Sequence, residues 1–235
     1  MTSAAQSLRI GGLTPMTTID YPGELAAVVF CQGCPWRCRY CHNGHLLSPE
    51  SGNRIPWSDV CVFLEKRAGL LDALVFSGGE PTLQAAIPAA VEEARSMGFK
   101  IGLHTAGPYP HRLRRLLPFI DWVGLDIKAL PAGYPALTGV SDSGERAWES
   151  LALLLDAGIA LQVRTTVLPG WRDESDIWPI RDRLAAVGVR NHVLQHCRTD
   201  STLDPRLGMV RNPPPIATSV YQLGNDTKVV GHGMV

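Results

Sequence analysis

Three observations predict an α/β fold, an open, partial (β/α)6 barrel or a doubly wound sheet. Short runs rich in Val, Ile and Leu alternate with stretches of helical periodicity, most runs stop at Gly, Pro or Ser, and polar residues gather where they stop. The first strand is predicted at 25–30 (Leu-Ala-Ala-Val-Val-Phe), followed by a helix near 57–68. A second strand at 73–76 ends on Ser77-Gly78-Gly79-Glu80-Pro81 and leads to a helix near 84–97. The third, 100–104, ends at His104-Thr105-Ala106-Gly107, before a helix near 110–117. The fourth, 122–126, ends at Asp126-Ile127-Lys128, before a helix near 145–157. The fifth, 161–167, carries Arg164 and precedes a helix near 175–187; the sixth, 192–195, ends at Gln195-His196. Strands alternating with helices make right-handed crossovers and hence parallel pairing. Six strands cannot close the usual eight-stranded barrel, and in open or closed forms alike the active face lies at the C-terminal strand ends.

Before the first strand, Gly11-Gly12 and Tyr21-Pro22-Gly23 read as an irregular or hairpin-like lead-in. After Cys197 the pattern dissolves into Asn212-Pro213-Pro214-Pro215 and a short tail. A single domain over 1–235 is expected, with a core at about 24–200, a lead-in at 1–23 and a tail at 201–235. The 22 basic residues balance 22 acidic ones, which argues against a broad nucleic-acid footprint. No apolar run reaches the roughly 18 residues of a membrane span, and the start lacks a signal-peptide layout, so a cytoplasmic protein without a membrane partner is expected. Six cysteines without an export signal suit metal binding better than disulfides. Cys61 and Cys197 read as buried small residues.

The remaining four cysteines cluster. Cys34, Cys38 and Cys41 stand at C-x3-C-x2-C spacing immediately after the first strand. A [4Fe–4S] cube takes four ligands, usually thiolates, so three cysteines folded back on one short loop can hold three irons and leave the fourth open to substrate. Cys31 keeps an alternative alive, because Cys31-Gln-Gly-Cys34 and Cys38-Arg-Tyr-Cys41 could close a tetrahedral zinc site. Zinc knuckle pairs are more often separated by roughly 12 to 20 residues. Here three residues intervene.

The triad, the Gly78-Gly79-Glu80 turn and Asp126-Ile127-Lys128 together resemble the radical S-adenosylmethionine (SAM) activating enzymes of glycyl radical enzymes. The likeness is nearest to anaerobic ribonucleoside-triphosphate reductase activating proteins. It is carried by residues 12–23, by the loop ending Cys41-His42-Asn43, and by residues 121–128. The resemblance implies a partial barrel of the radical SAM type, one [4Fe–4S] cluster on Cys34, Cys38 and Cys41, and SAM as the second cofactor. It places Tyr40 and His42 beside the cluster and SAM, Gly78, Gly79 and Glu80 at the methionine amino group, and Asp126 and Lys128 near the ribose and carboxylate. Arg164 and His196 match later strand positions, His196 on the ribose side. The implied partners are a glycyl radical enzyme, first an anaerobic ribonucleotide reductase, and an electron donor such as flavodoxin or ferredoxin.

The physical chemistry of the residues agrees with these roles. SAM carries a sulfonium and an ammonium, so its pocket needs an acceptor, and glycine lets backbone approach without a Cβ in the way. Lys128 and Asp126 offer a donor and an acceptor at one strand end. Taken singly, each has a plainer reading: Gly-Gly-Glu-Pro as a strand-to-helix turn, Asp126 and Lys128 as a surface pair, Arg164 as a paired strand residue, His196 as a core histidine. Many activating enzymes carry Asp-Thr-Asn-Gly where this chain has His104-Thr105-Ala106-Gly107, so a monovalent cation is left out of the expected cofactors, and His104 either contacts the pocket or packs. Competing functions are a radical SAM enzyme acting on a small molecule or peptide, and a non-catalytic iron–sulfur or zinc-binding module.

Overall fold

The computed structural model describes residues 3–50, 54–171, 173–209, 219–222 and 228–230. Its strands are β1 (Ile10–Thr17), β2 (Ala26–Cys31), β3 (Ala73–Gly78), β4 (Lys100–Thr105), β5 (Trp122–Asp126), β6 (Ala160–Val167), β7 (Asn191–His196), β8 (Ser219–Gln222) and β9 (Lys228–Val230). The α-helices are α1 (Trp57–Glu65), α2 (Ile87–Ser96), α3 (Pro110–Leu116), α4 (Tyr134–Thr138), α5 (Ser143–Asp156) and α6 (Trp178–Ala186). Two compact units result, one of Met1–Pro35 with His45–Gly124, the other of Trp36–Gly44 with Leu125–Val235.

In the first unit β2, β3 and β4 are parallel neighbours, with Ala26 opposite Ala73, Cys31 opposite Gly78 and Phe76 opposite Leu103. The strands Ala-Ala-Val-Val-Phe-Cys and Ala-Leu-Val-Phe-Ser-Gly are buried along nearly their whole length, as strands covered on both faces must be. Tyr21, Ala26, Val28, Ala73, Val75 and Trp122 pack as one cluster, with Tyr21 and Trp122 stacked at 5.1 Å. Trp57 of α1 stacks on Phe76 at 6.1 Å and donates its indole N–H to Glu93 of α2 at 2.6 Å. β1 runs antiparallel to β2, with register breaks between Ile10 and Gly12 and between Thr14 and Thr17.

In the second unit β6 and β7 are parallel, from Val163 opposite His192 to Val167 opposite His196. The chain beyond β5 lies against β6, where Ile127 N–H donates to the Arg164 carbonyl at 2.9 Å. β8 pairs antiparallel with β7, and β9 antiparallel with β8. Val167, Ile177 and Leu194 form an apolar cluster covered by Trp171. Trp36 meets Tyr134 of α4 edge-on at 5.9 Å.

All six expected strands are present, each within two residues of its expected bounds. The hairpin-like lead-in is present as well: β1 returns antiparallel onto β2, although Gly11, Gly12 and Pro15 interrupt its alternation. Three features differ. The helix expected from residue 84 starts at Ile87, since Pro81–Leu83 first forms a 3-10 turn capped by Glu80. α4, five residues long, was too short to register as a periodic segment. The tail after β7 holds a 3-10 turn at Pro205–Met209 and then β8 and β9, while the expected Pro-rich stretch 212–215 lies outside the described residues. Cys61 and Cys197 are half-buried rather than buried, because α1 lies at the surface and Cys197 falls just past the end of β7. No helix among the described residues is long and apolar enough to cross a membrane.

Candidate functional site

The C-terminal ends of β2, β3 and β4 organise the first unit's share of the predicted residues. Gly79 N–H donates to the Cys31 carbonyl at 2.8 Å and Glu80 N–H to the Gly33 carbonyl at 2.9 Å, so the Gly-Gly-Glu turn is stitched to the residues that lead into Cys34. Gly33 and Cys34 in turn donate to the carbonyls of Leu46 at 2.7 Å and Leu47 at 3.2 Å. Glycine is required twice here. Gly78 has φ +108°, and a Cβ on it would stand 2.5 Å from the Cys31 nitrogen; a Cβ on Gly79 would collide with the Gly33 carbonyl.

Glu80 is 1% exposed and its carboxylate is fully engaged. Oε1 accepts from Thr82 N–H (3.0 Å), Thr82 Oγ1 (2.5 Å) and Thr105 Oγ1 (2.8 Å); Oε2 accepts from Ala106 N–H (3.0 Å). Burial pushes its pKa up, while the Thr82, Ala106 and Thr105 donors oppose the shift. The carboxylate thus caps the Pro81 turn and ties the end of β4 to that of β3. His104 is also held by protein groups. Its Nε2 donates to the Asp20 carbonyl at 2.9 Å, which leaves Nδ1 to accept from Ser77 Oγ at 3.1 Å, and the ring lies edge-on to Trp122 at 5.6 Å. His104 fastens the lead-in to the sheet.

The second unit carries Cys38, Tyr40, Cys41 and His42 on one loop. Arg37 and Arg39 N–H donate to the carbonyls of Thr138 (2.9 Å) and Leu137 (3.0 Å) at the end of α4, and Cys41 N–H to Cys38 C=O (3.0 Å). All six cysteines are free thiols. Burial raises the Cys38 and Cys41 thiols; Lys128 opposes this at Cys38, and the Asn43 backbone, Lys128 and Arg37 at Cys41. Cys31, by contrast, is fully buried within β2, and burial raises it much further, with the Glu80 charge adding to the shift.

Asp126, Lys128 and Arg164 form one charged group. Arg164 Nε donates to Asp126 Oδ1 at 3.0 Å, and Lys128 Nζ lies 3.5 Å from Oδ2 and 5.4 Å from the centre of the Tyr40 ring. Lys128 backbone N–H also donates to the Tyr134 hydroxyl at 2.9 Å. Burial alone would push the Lys128 ammonium down, but the acidic groups that face it, Tyr40, Asp126, Cys38 and Tyr134, act the other way and its pKa is raised above that of a normal lysine. Both phenols are themselves pushed up by burial and are protonated at neutral pH, so the Asp126 carboxylate is the charge that holds Lys128 there. Lys128 and Asp126 therefore pair directly. Six buried side-chain polar atoms have no hydrogen-bond partner among the described residues, and two of them, the Tyr40 hydroxyl and His196 Nε2, belong to residues predicted for the site. His42 Nδ1 lies 3.4 Å from Ser201 Oγ. Among the described residues no three His, Cys, Asp or Glu side chains are gathered so as to hold one metal ion.

Two residues absent from the sequence reading take part. Gln84 accepts from Arg9 N–H at 2.8 Å and donates to the carbonyls of Arg9 at 2.9 Å and Gln32 at 3.2 Å. Asp204 binds Arg39. Both act on partners far off in sequence, and neither lies in a recognisable spacing pattern.

The model of the radical SAM superfamily matches residues 28–182. The chain belongs to this family. It is 31% identical over 176 residues to a protein of Methanocaldococcus jannaschii named as a glycyl-radical enzyme activating enzyme, covering 72% of each chain. Pyruvate formate-lyase-activating enzymes are similarly related, at 29% identity and 72% of each chain for Clostridium pasteurianum. For Escherichia coli K12 the values are 30%, 72% of this chain and 71% of the relative. Among solved structures, Streptococcus suis SuiB bound to S-adenosylmethionine superposes with a TM-score of 0.57 at 17% identity, over 76% of this chain and 44% of SuiB. The enzyme anSMEcpe with bound AdoMet gives 0.59 at 15% identity, over 75% of this chain and 54% of its own. The chain spans about half the length of these structures, and they bear on the fold alone. The protein is a radical SAM enzyme of the glycyl-radical activase group, with that family's α/β fold and its two cofactors, a [4Fe–4S] cluster and SAM.

Proposed function

We propose that this radical SAM enzyme generates a glycyl radical on a partner protein, an anaerobic ribonucleoside-triphosphate reductase, and that it does so in the cytoplasm. The observation that carries the activating function is the relationship to glycyl-radical activases across nearly three quarters of each chain. The choice of reductase rests on residues 12–23, on Cys41-His42-Asn43 and on residues 121–128.

Cys34, Cys38 and Cys41 are proposed as the cluster ligands. The donor set fits: three free thiols, each partly accessible, on one short loop, with Cys31 sequestered inside β2. The unpartnered Tyr40 hydroxyl and His196 Nε2 fit a polar cofactor that would complete their hydrogen bonding. Bound by these residues, the cluster would supply the single electron for reductive cleavage of SAM, and SAM would supply the oxidising equivalent for removing a hydrogen atom from a glycine Cα.

The chain's own residues bind and orient. Gly78 and Gly79 keep the turn free of side chains so that the methionine end can approach backbone. Glu80 holds that turn in shape through Thr82, Thr105 and Ala106, and its negative charge favours the ammonium. Lys128 and Arg164, sharing Asp126, offer a net positive charge to the SAM carboxylate, while Asp126 and His196 Nε2 can serve the ribose hydroxyls. His42 steadies the end of the cysteine loop at Ser201. A docked glycine loop of the partner excludes water and stray C–H bonds from the radical.

The test is anaerobic reconstitution, reduction by flavodoxin or ferredoxin, and incubation with SAM and the candidate reductase. A glycine-centred radical signal, with methionine and 5′-deoxyadenosine formed, is the expected result. A radical on pyruvate formate-lyase instead would reassign the partner. Formation of 5′-deoxyadenosine with neither partner radicalised would favour a small-molecule or peptide substrate.

A further inference from the structure

We infer that Asp204 is a positioning residue for the cysteine loop, holding Cys38 and Cys41 in place by gripping Arg39 between them. The inference rests on the reading of those thiols as cluster ligands. Asp204 belongs to the segment after β7, for which the sequence suggests no role.

Arg39 is held through main chain and side chain at once. Asp204 N–H donates to the Arg39 carbonyl at 2.9 Å, and Asp204 Oδ2 accepts from Arg39 Nε at 2.9 Å and Nη2 at 2.7 Å. On the other edge Arg39 N–H donates to the Leu137 carbonyl at 3.0 Å. The cysteine loop is therefore hydrogen-bonded through its backbone to α4 on one side and to residue 204 on the other. Asp204 is itself preset by Arg206, whose N–H and Nε donate to Oδ1 at 3.1 and 2.8 Å and whose Nη2 donates to Oδ2 at 3.0 Å. The Asp204 side chain is 9% exposed, so these charge-assisted bonds are shielded on one side. The same segment touches the loop twice more. Ser201 meets His42 at 3.4 Å, and Leu203 lies over Gly44 so closely that a Cβ there would come within 3.0 Å of it.

A cluster whose ligand loop is pinned in this way loses iron only when the loop opens, and the opening frequency falls with each bond that must break first. The test uses the full-length reconstituted chain, with iron release to an excess of a coloured ferrous chelator followed anaerobically. Asp204→Ala and Arg39→Gln are each expected to load iron as the wild type does and to release it roughly tenfold faster, the scale of a lost charged hydrogen-bond pair. The double variant should be no faster than the faster single one, since both remove one contact. Arg39→Gln leaves Asp204 with Arg206, and the denaturant midpoint of its metal-free form should match wild type, which separates loop positioning from general stability. Wild-type release from Arg39→Gln, or additive acceleration in the double variant, would overturn this inference alone. A wild-type chain that takes up no iron would overturn the proposed function and this with it.

Discussion

At the scale of single residues, the four clustered cysteines have different environments. Cys31 is wholly inside the sheet, whereas Cys34, Cys38 and Cys41 are partly accessible. Replacing any of the latter three by Ala should abolish SAM cleavage and reduce bound iron. Cys31→Ala should cost about 1 kcal/mol of stability for a small void and leave cleavage intact, measured by 5′-deoxyadenosine formation and iron content. Glu80 gives a sharper test. Its carboxylate satisfies four donors, so Glu80→Gln sets an amide N–H₂ against at least one of them and should destabilise the chain by about 1–3 kcal/mol while weakening SAM binding. Unfolding by denaturant and SAM titration would check the two parts; unchanged SAM affinity would leave Glu80 a purely structural cap. The C-x3-C-x2-C spacing of the proposed cluster ligands stands out in the sequence because such chemistry depends on short spacing. Gln84 and Asp204 do not, because an amide or carboxylate that binds distant backbone leaves no periodic trace.

Among elements, the parallel strands were legible because burial on both faces forces unbroken apolar runs, whereas glycine and proline left β1 legible only as a hairpin-like lead-in, and α4 was hidden by its length. The β6–β7 pair holds a feature that no pattern announced. His192 is fully buried on β7, its Nε2 donates to Thr165 Oγ1 at 2.9 Å, and that hydroxyl donates to the Ile127 carbonyl at 2.7 Å, between Asp126 and Lys128. Burial, with a contribution from Arg181, lowers the His192 pKa to about 4. The unfolded chain then binds more protons than the folded one between pH of about 6.5 and 4, so stability must fall as pH drops through that window. The loss should amount to about 2–4 kcal/mol for this group. Denaturant midpoints of the metal-free protein across the window should show it, and His192→Gln should flatten the slope. Thr165→Val, which strips the Ile127 carbonyl of its donor, should raise the concentration of SAM needed for half-maximal cleavage more than it lowers the maximal rate.

For the whole molecule, ligand linkage offers a test of cofactor order. If SAM anchors on an open iron, SAM at a hundred times its Kd should stabilise the cluster-loaded chain by about 2.7 kcal/mol and the metal-free chain far less. Anaerobic thermal unfolding of both forms would reveal the difference; equal stabilisation would mean that the protein pocket alone sets the affinity. The amino-terminal strand has a consequence of another kind. β1 covers the free side of β2, whose residues Ala26 to Val29 are completely shielded from solvent. Without it that apolar ribbon would offer bare amides and carbonyls to any neighbouring molecule, a template for intermolecular pairing. Deleting residues 1–17 should therefore turn a dispersed protein into one that self-associates, a change that light scattering would register before any catalytic assay did.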